Sequence, residues 1–166
     1  MANSTDDFIS CLNDLIETCK DGEQGFRDAA DGVKRADLKA VFNEYARQRT
    51  QFVNELQRHV TRLGGEAETS GSASGAMHRG WINLKSAITG KDDDAILNEA
   101  ERGEDVAVKA YQKALEEDLP SDLRSVVEEQ YRQILQAHNR VKAMRDGADL
   151  GTPSSERTEP IGNRII

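Results

Sequence analysis

The sequence predicts an all-α protein: a four-helix bundle with a long crossover between its second and third long helices, and a short extra helix on that crossover. Apolar residues recur at helical spacing through four long stretches, which is the mark of amphipathic helices. Tight turns join these stretches in pairs, whereas a connection rich in glycine and serine separates the pairs. Carboxylates and a histidine fall on the otherwise apolar faces, which points to a polar bundle centre.

At 166 residues the chain suffices for one domain that buries a continuous core without disulfides or a structural metal. Apolar residues make up 37% and charged residues 31%, and they alternate at helical intervals instead of forming blocks, which separates the chain from disordered sequences. A net charge of -8 repels nucleic acids and anionic membranes at long range, so neither is an expected partner. No stretch approaches the roughly 20 apolar residues of a membrane span. Met1 to Asp7 lack a basic and then apolar signal, so a cytoplasmic location is expected.

The first helix is expected from about Asp6 to Ala30, with Ser4 as N-cap and Asp7 completing a capping box. Phe8, Leu12, Leu15, Cys19, Phe26 and Ala30 form its stripe, and Gly32 is its expected stop. Cys11 and Cys19 are eight residues apart on this helix, about 12 Å along the axis, too far to pair with each other. They read as reduced, small core residues. The second helix is expected from about Ala36 to Leu63, ended by Gly64 and Gly65, with Leu38, Phe42, Tyr45, Phe52, Leu56 and Leu63 on its buried face.

Residues 64–76 read as the long connection, followed by a short apolar stripe of Met77, Trp81, Leu84 and Ile88 that predicts a helix lying across the bundle. Gly90 breaks it, and Asp92 to Asp94 offer N-caps for the third long helix, which carries Leu97, Ala100, Ala107, Tyr111 and Ala114 to about Glu117. Pro120 opens the fourth, which runs through Leu123, Val127, Ile134, Val141 and Met144 to Gly147. Residues 1–150 thus form the bundle domain, and 151–166, with Pro153, Pro160 and no periodicity, are expected as a flexible C-terminal tail. A connection that crosses the whole bundle between the second and third helices is the arrangement of ferritin-like folds.

With helices about 26 residues long and a rise of about 1.5 Å per residue, Glu23, Glu44, Glu104 and His138 fall within roughly 8 Å along the axis. Glu101 lies three positions before Glu104 on the same helix, whereas Asp105 is expected to face water. Carboxylates with an imidazole suit iron, manganese or zinc, so Glu23, Glu101, Glu104 and His138 are candidate metal ligands. The Glu-x-x-His repeat of di-iron bundles is absent from the sequence, and Arg47 and Tyr131 stand where ligating histidines are expected. Arg47 can neutralise Glu23 or Glu104 without metal, so a buried ion-pair network that includes Glu44 and Arg47 is favoured over a metal centre. Glu55 with His59, and His78 beside Trp81, read as ordinary helix-face and packing contacts.

No nucleophile sits at a strand-to-helix elbow and no phosphate-cradling glycine loop opens a helix, so neither a hydrolase nor a nucleotide-binding enzyme is indicated.

At Asp21-Gly22-Glu23-Gln24-Gly25-Phe26, at Gly71-Ser72-Ala73-Ser74-Gly75 with His78-Arg79-Gly80-Trp81, and at Glu99-Ala100-Glu101-Arg102-Gly103-Glu104-Asp105, the chain resembles a bacterial family of four-helix domains of unknown function grouped with the ferritin-like superfamily. The resemblance covers about residues 5–146. It implies a ferritin-like bundle in a bacterial cytoplasm. Ferritin-like relatives often hold two metals through carboxylates and histidines; Glu23, Glu101 or Glu104, and His138 match that pattern, while Arg47 and Tyr131 depart from it.

The expected function is therefore that of a non-enzymatic, stress-related bundle working through homo-oligomerisation or a protein partner. A metal-binding bundle with a storage or redox role is the alternative. A third reading places an interaction surface on the Trp81 helix and the C-terminal arm.

Overall fold

The computed structural model describes residues 4–67 and 80–147, and five helices account for most of them. They are α1 (Thr5–Gly32), α2 (Ala36–Arg62), α3 (Leu84–Thr89), α4 (Asp93–Leu115) and α5 (Ser121–Arg145). The tail after residue 150, the Gly71 to Gly75 stretch, Met77 and His78 lie outside the described residues.

The helix ends follow the capping signals closely. Ser4 accepts from the Asp7 amide while the Asp7 carboxylate accepts from the Ser4 amide, the reciprocal bonds of a capping box. At the end of α2, Gly64 adopts φ +82°, and the amides of Gly64 and Gly65 return to the carbonyls of Thr61 and Val60, closing a Schellman turn. Asp92 caps α4 by accepting from the Asp94 and Ala95 amides. The neighbouring Asp93 reaches across to the α1–α2 turn, where its two oxygens accept from the Lys34 and Arg35 amides. This carboxylate from α4 serves a helix start that has no side-chain cap of its own.

That contact places the start of α4 beside the end of α1. The last turn of α2 is at the opposite end, because Gly65 packs against Ile9 near the start of α1. Leu63 and Asp92 therefore lie at opposite ends of the bundle, and α2 and α4 run parallel, the ferritin-like arrangement expected of the long crossover. The broadest contacts are within the α1–α2 and α4–α5 hairpins, followed by α1 against α4.

The short helix is shorter than the stripe from Met77 to Ile88 predicts. It begins at Leu84, and Trp81 precedes it in a turn that opens at Gly80 with φ +81°. Trp81 is nonetheless buried. Its position depends on contact with α1 and α4 instead of on a place in a helical stripe.

The core splits into two clusters. One gathers Phe26, Phe42, Tyr45, Trp81, Leu97 and Val141 with their neighbours, and the other Leu15, Cys19, Phe52, Leu56, Tyr111 and Ile134 with theirs. Between them lies a polar layer centred on Arg49 and Glu104.

Candidate functional site

The seam of α2 reads Leu38, Phe42, Tyr45, Arg49, Phe52, Leu56, and that of α4 reads Leu97, Ala100, Glu104, Ala107, Tyr111. Arg49 and Glu104 occupy core positions in an otherwise unbroken apolar series, so helical geometry forces both inward. Both are fully buried. The guanidinium meets the carboxylate with two parallel bonds, Nη1 to Oε1 at 2.8 Å and Nη2 to Oε2 at 2.7 Å. Such a fork pairs charge and geometry together, which a lysine would not do. Burial pushes the Glu104 carboxyl up from its ordinary range, and the Arg49 guanidinium followed by the nearby His138 pulls against that rise.

Glycines make room for this pair and for Trp81. A Cβ on Gly22 would lie 3.3 Å from Nη1 of Arg49. Cβ atoms on Gly25 of α1 or Gly103 of α4 would lie under 3.0 Å from the indole of Trp81, closer than real side chains pack. The two glycines thus form the walls of a slot that the ring fills. Trp81 meets the Phe26 ring edge-on at a centroid distance of 5.0 Å, and Phe26 in turn lies 5.4 Å from the Arg49 guanidinium carbon. The Glu99 carboxylate, also buried, accepts from the Asn83 amide and pairs with Arg102, which ties the segment after Trp81 to α4.

Beside the other cluster, where Asp21 is also buried, Cys19, Tyr111 and Gln130 form a chain of neutral hydrogen bonds. The Tyr111 hydroxyl donates to Oε1 of Gln130 at 2.6 Å. Its single proton is then committed, so the Cys19 thiol, 3.1 Å away, donates to the Tyr111 oxygen. Gln130 passes its own amide protons toward the Glu55 carboxylate and the Phe52 carbonyl. Burial pushes the Cys19 thiol up to about 11, a shift that Arg49 and the hydrogen bond to Tyr111 reduce. Burial likewise raises Tyr111 well above its ordinary value.

The residues expected as metal ligands take different partners. Glu104 alone is on the seam. Glu23 is half-buried and pairs with Arg27 one turn on. Glu101 pairs with Arg145 of α5. His138, on the rim of the bundle, holds Asp105 through Nε2 at 2.6 Å. Among the described residues no three His, Cys, Asp or Glu side chains form a group able to hold a metal ion. Glu44 and Arg47, expected in a buried ion pair, are exposed, and Glu44 faces Arg140 across the surface at 3.6 Å.

The buried cation is Arg49, two positions further on. Two residues turn about 200° around a helix, so Arg47 and Arg49 point to opposite sides. The signal that finds Arg49 is its place in the series from Leu38 to Leu56, and the same count finds Gln130 between Val127 and Ile134.

The fold and its polar layer define a ferritin-like four-helix bundle. A crystal structure of a two-domain protein containing DJ-1/ThiJ/PfpI-like and ferritin-like domains, from Anabaena variabilis, superposes with a TM-score of 0.70 at 12% sequence identity. The match covers 92% of this chain and 41% of that one, so the chain spans less than half the length of this structural relative. The chain belongs to the family described as Domain of unknown function (DUF2383), which matches residues 7–117. No curated protein matches it. The family span runs from Asp7 in α1 past the end of α4 and so holds Gly22, Gly25, Arg49, Trp81, Gly103 and Glu104.

Proposed function

We propose that this protein is a non-catalytic helical module that works by binding or assembly, with its polar centre serving the fold. The observation that carries this reading is the bidentate Arg49–Glu104 pair. The one seam carboxylate among the candidate ligands is fully engaged by the two parallel bonds of a guanidinium. A cation brought to Glu104 would have to displace Arg49 and leave a second positive charge buried beside it.

The second reading is a carboxylate and histidine site for iron, manganese or zinc, supported by His138 and Asp105 in contact next to Glu104 in the chain. Elemental analysis of untagged protein, with reconstitution by each metal, separates the two. The module reading expects substoichiometric metal and a melting temperature unmoved by chelator. Near-stoichiometric metal that is lost in His138→Ala or Glu104→Gln overturns it.

A further inference from the structure

Ile82 is 57% exposed, the large hydrophobic side chain that stands out on the surface of the described residues. It borders a groove with half-buried Ile88, and buried Trp81 and Leu84 lie beneath them. The facing wall is the end of α1, with Asp28 and Asp31. No basic residue occupies the last turn of α1, so the negative end of the helix dipole and these carboxylates reinforce one another. On the α3 side Lys85 is the cation that offsets them. Ile82 and Ile88 beside two carboxylates suit a segment that carries a cation among aliphatic side chains.

The chain contains such a segment outside the described residues. Residues 160–166 read Pro-Ile-Gly-Asn-Arg-Ile-Ile, with Arg164 among three isoleucines and no side-chain carboxylate. Their attachment point is on the correct side. α5 ends at the same end of the bundle as the groove, because Arg145 pairs with Glu101 and Met144 packs in the cluster that holds Trp81 and Leu84. The 14 or so residues from Gly147 to Ile161 can span up to about 50 Å, well beyond the roughly 20 Å across two packed helices.

We propose that residues 161–166 dock on their own chain in the groove of Ile82, Leu84 and Ile88, with Arg164 facing Asp28 and Asp31. The proposal goes beyond the function above and does not depend on what the bundle centre binds.

Trp81, the chain's only tryptophan, is buried beneath the groove, so its emission reports on the packing under Ile82 and Leu84. In the full chain, the double variant Ile165→Asp, Ile166→Asp is expected to shift Trp81 emission and to speed amide exchange over residues 83–89 about tenfold, with helical content unchanged. Asp31→Lys is expected to act in the same direction, and Asp31→Lys combined with Arg164→Asp to restore protection. Exchange and emission equal to the wild type in the double variant would overturn the proposal. So would protection that disappears on dilution together with a halving of mass in light scattering, since the occupant would then come from a second copy.

Discussion

In the half of the bundle that holds α3, the buried polar groups are ions and the aromatic packing depends on missing side chains. Arg49 and Glu104 border it, and Trp81 lies against two glycines. In the other half Cys19, Tyr111 and Gln130 form a buried chain of neutral hydrogen bonds surrounded by ordinary aliphatic packing. The first half tolerates few substitutions, because a guanidinium without its carboxylate and a slot without its ring both lack substitutes. The second half has a graded cost, since each neutral bond removed leaves a group that loses a modest desolvation energy. The motif Gly22 to Phe26, the Gly80-Trp81 pair and the Gly103-Glu104 pair therefore converge on one lock between α1, α4 and the crossover.

Glu104→Ala strands a buried cation and is expected to cost about 3–5 kcal/mol by urea unfolding. Arg49→Met with Glu104→Leu, which removes both charges, is expected to be near neutral or more stable than the wild type. If that double variant were as unstable as Glu104→Ala, the pair would contribute net stability. Trp81→Ala is expected to cost about 3 kcal/mol or more through the cavity left between Gly25 and Gly103, and added indole should recover part of the thermal stability. Gly103→Ala is expected to lose about 1–3 kcal/mol by overpacking, while calorimetry on an alanine at exposed Lys109 should show almost no change.

In the neutral half, Tyr111→Phe is expected to cost about 1–3 kcal/mol because Gln130 loses its donor and the Cys19 thiol its acceptor. The smallest effect is with pH. The Cys19 thiol is held at about 11 against an ordinary 9.0, so the unfolded chain gives up its proton first. Stability from this group is full below pH 9 and declines as pH rises toward 11, by at most about 1.4 kcal/mol per unit. Unfolding curves at pH 8, 9 and 10 should show a steeper decline in the wild type than in Cys19→Ala.

Most of the fold was legible because its signals are local. The capping box at Ser4, the stop at Gly64, the N-cap at Asp92 and the seams of all four long helices depend on neighbours within a turn or two. The crossover was legible from its length. The candidate site was less so: Glu104 was readable as a core carboxylate, but its partner was sought at Arg47, where a ligand was expected, although the seam count from Tyr45 leads to Arg49. Glu23, Glu101 and His138 each turn to a partner other than a shared centre: Arg27, Arg145 and Asp105.

By itself the sequence determined which residues face inward, where the helices start and stop, and that a charge would lie in the core, since periodicity and capping are short-range physics. Tertiary structure decided which charge meets which, that the glycines of two separated motifs form the walls of one tryptophan slot, and that Asp93 caps a helix not its own. Those outcomes depend on how α1, α2 and α4 turn about their axes when they pack, a rotation set by all the side chains of the core together.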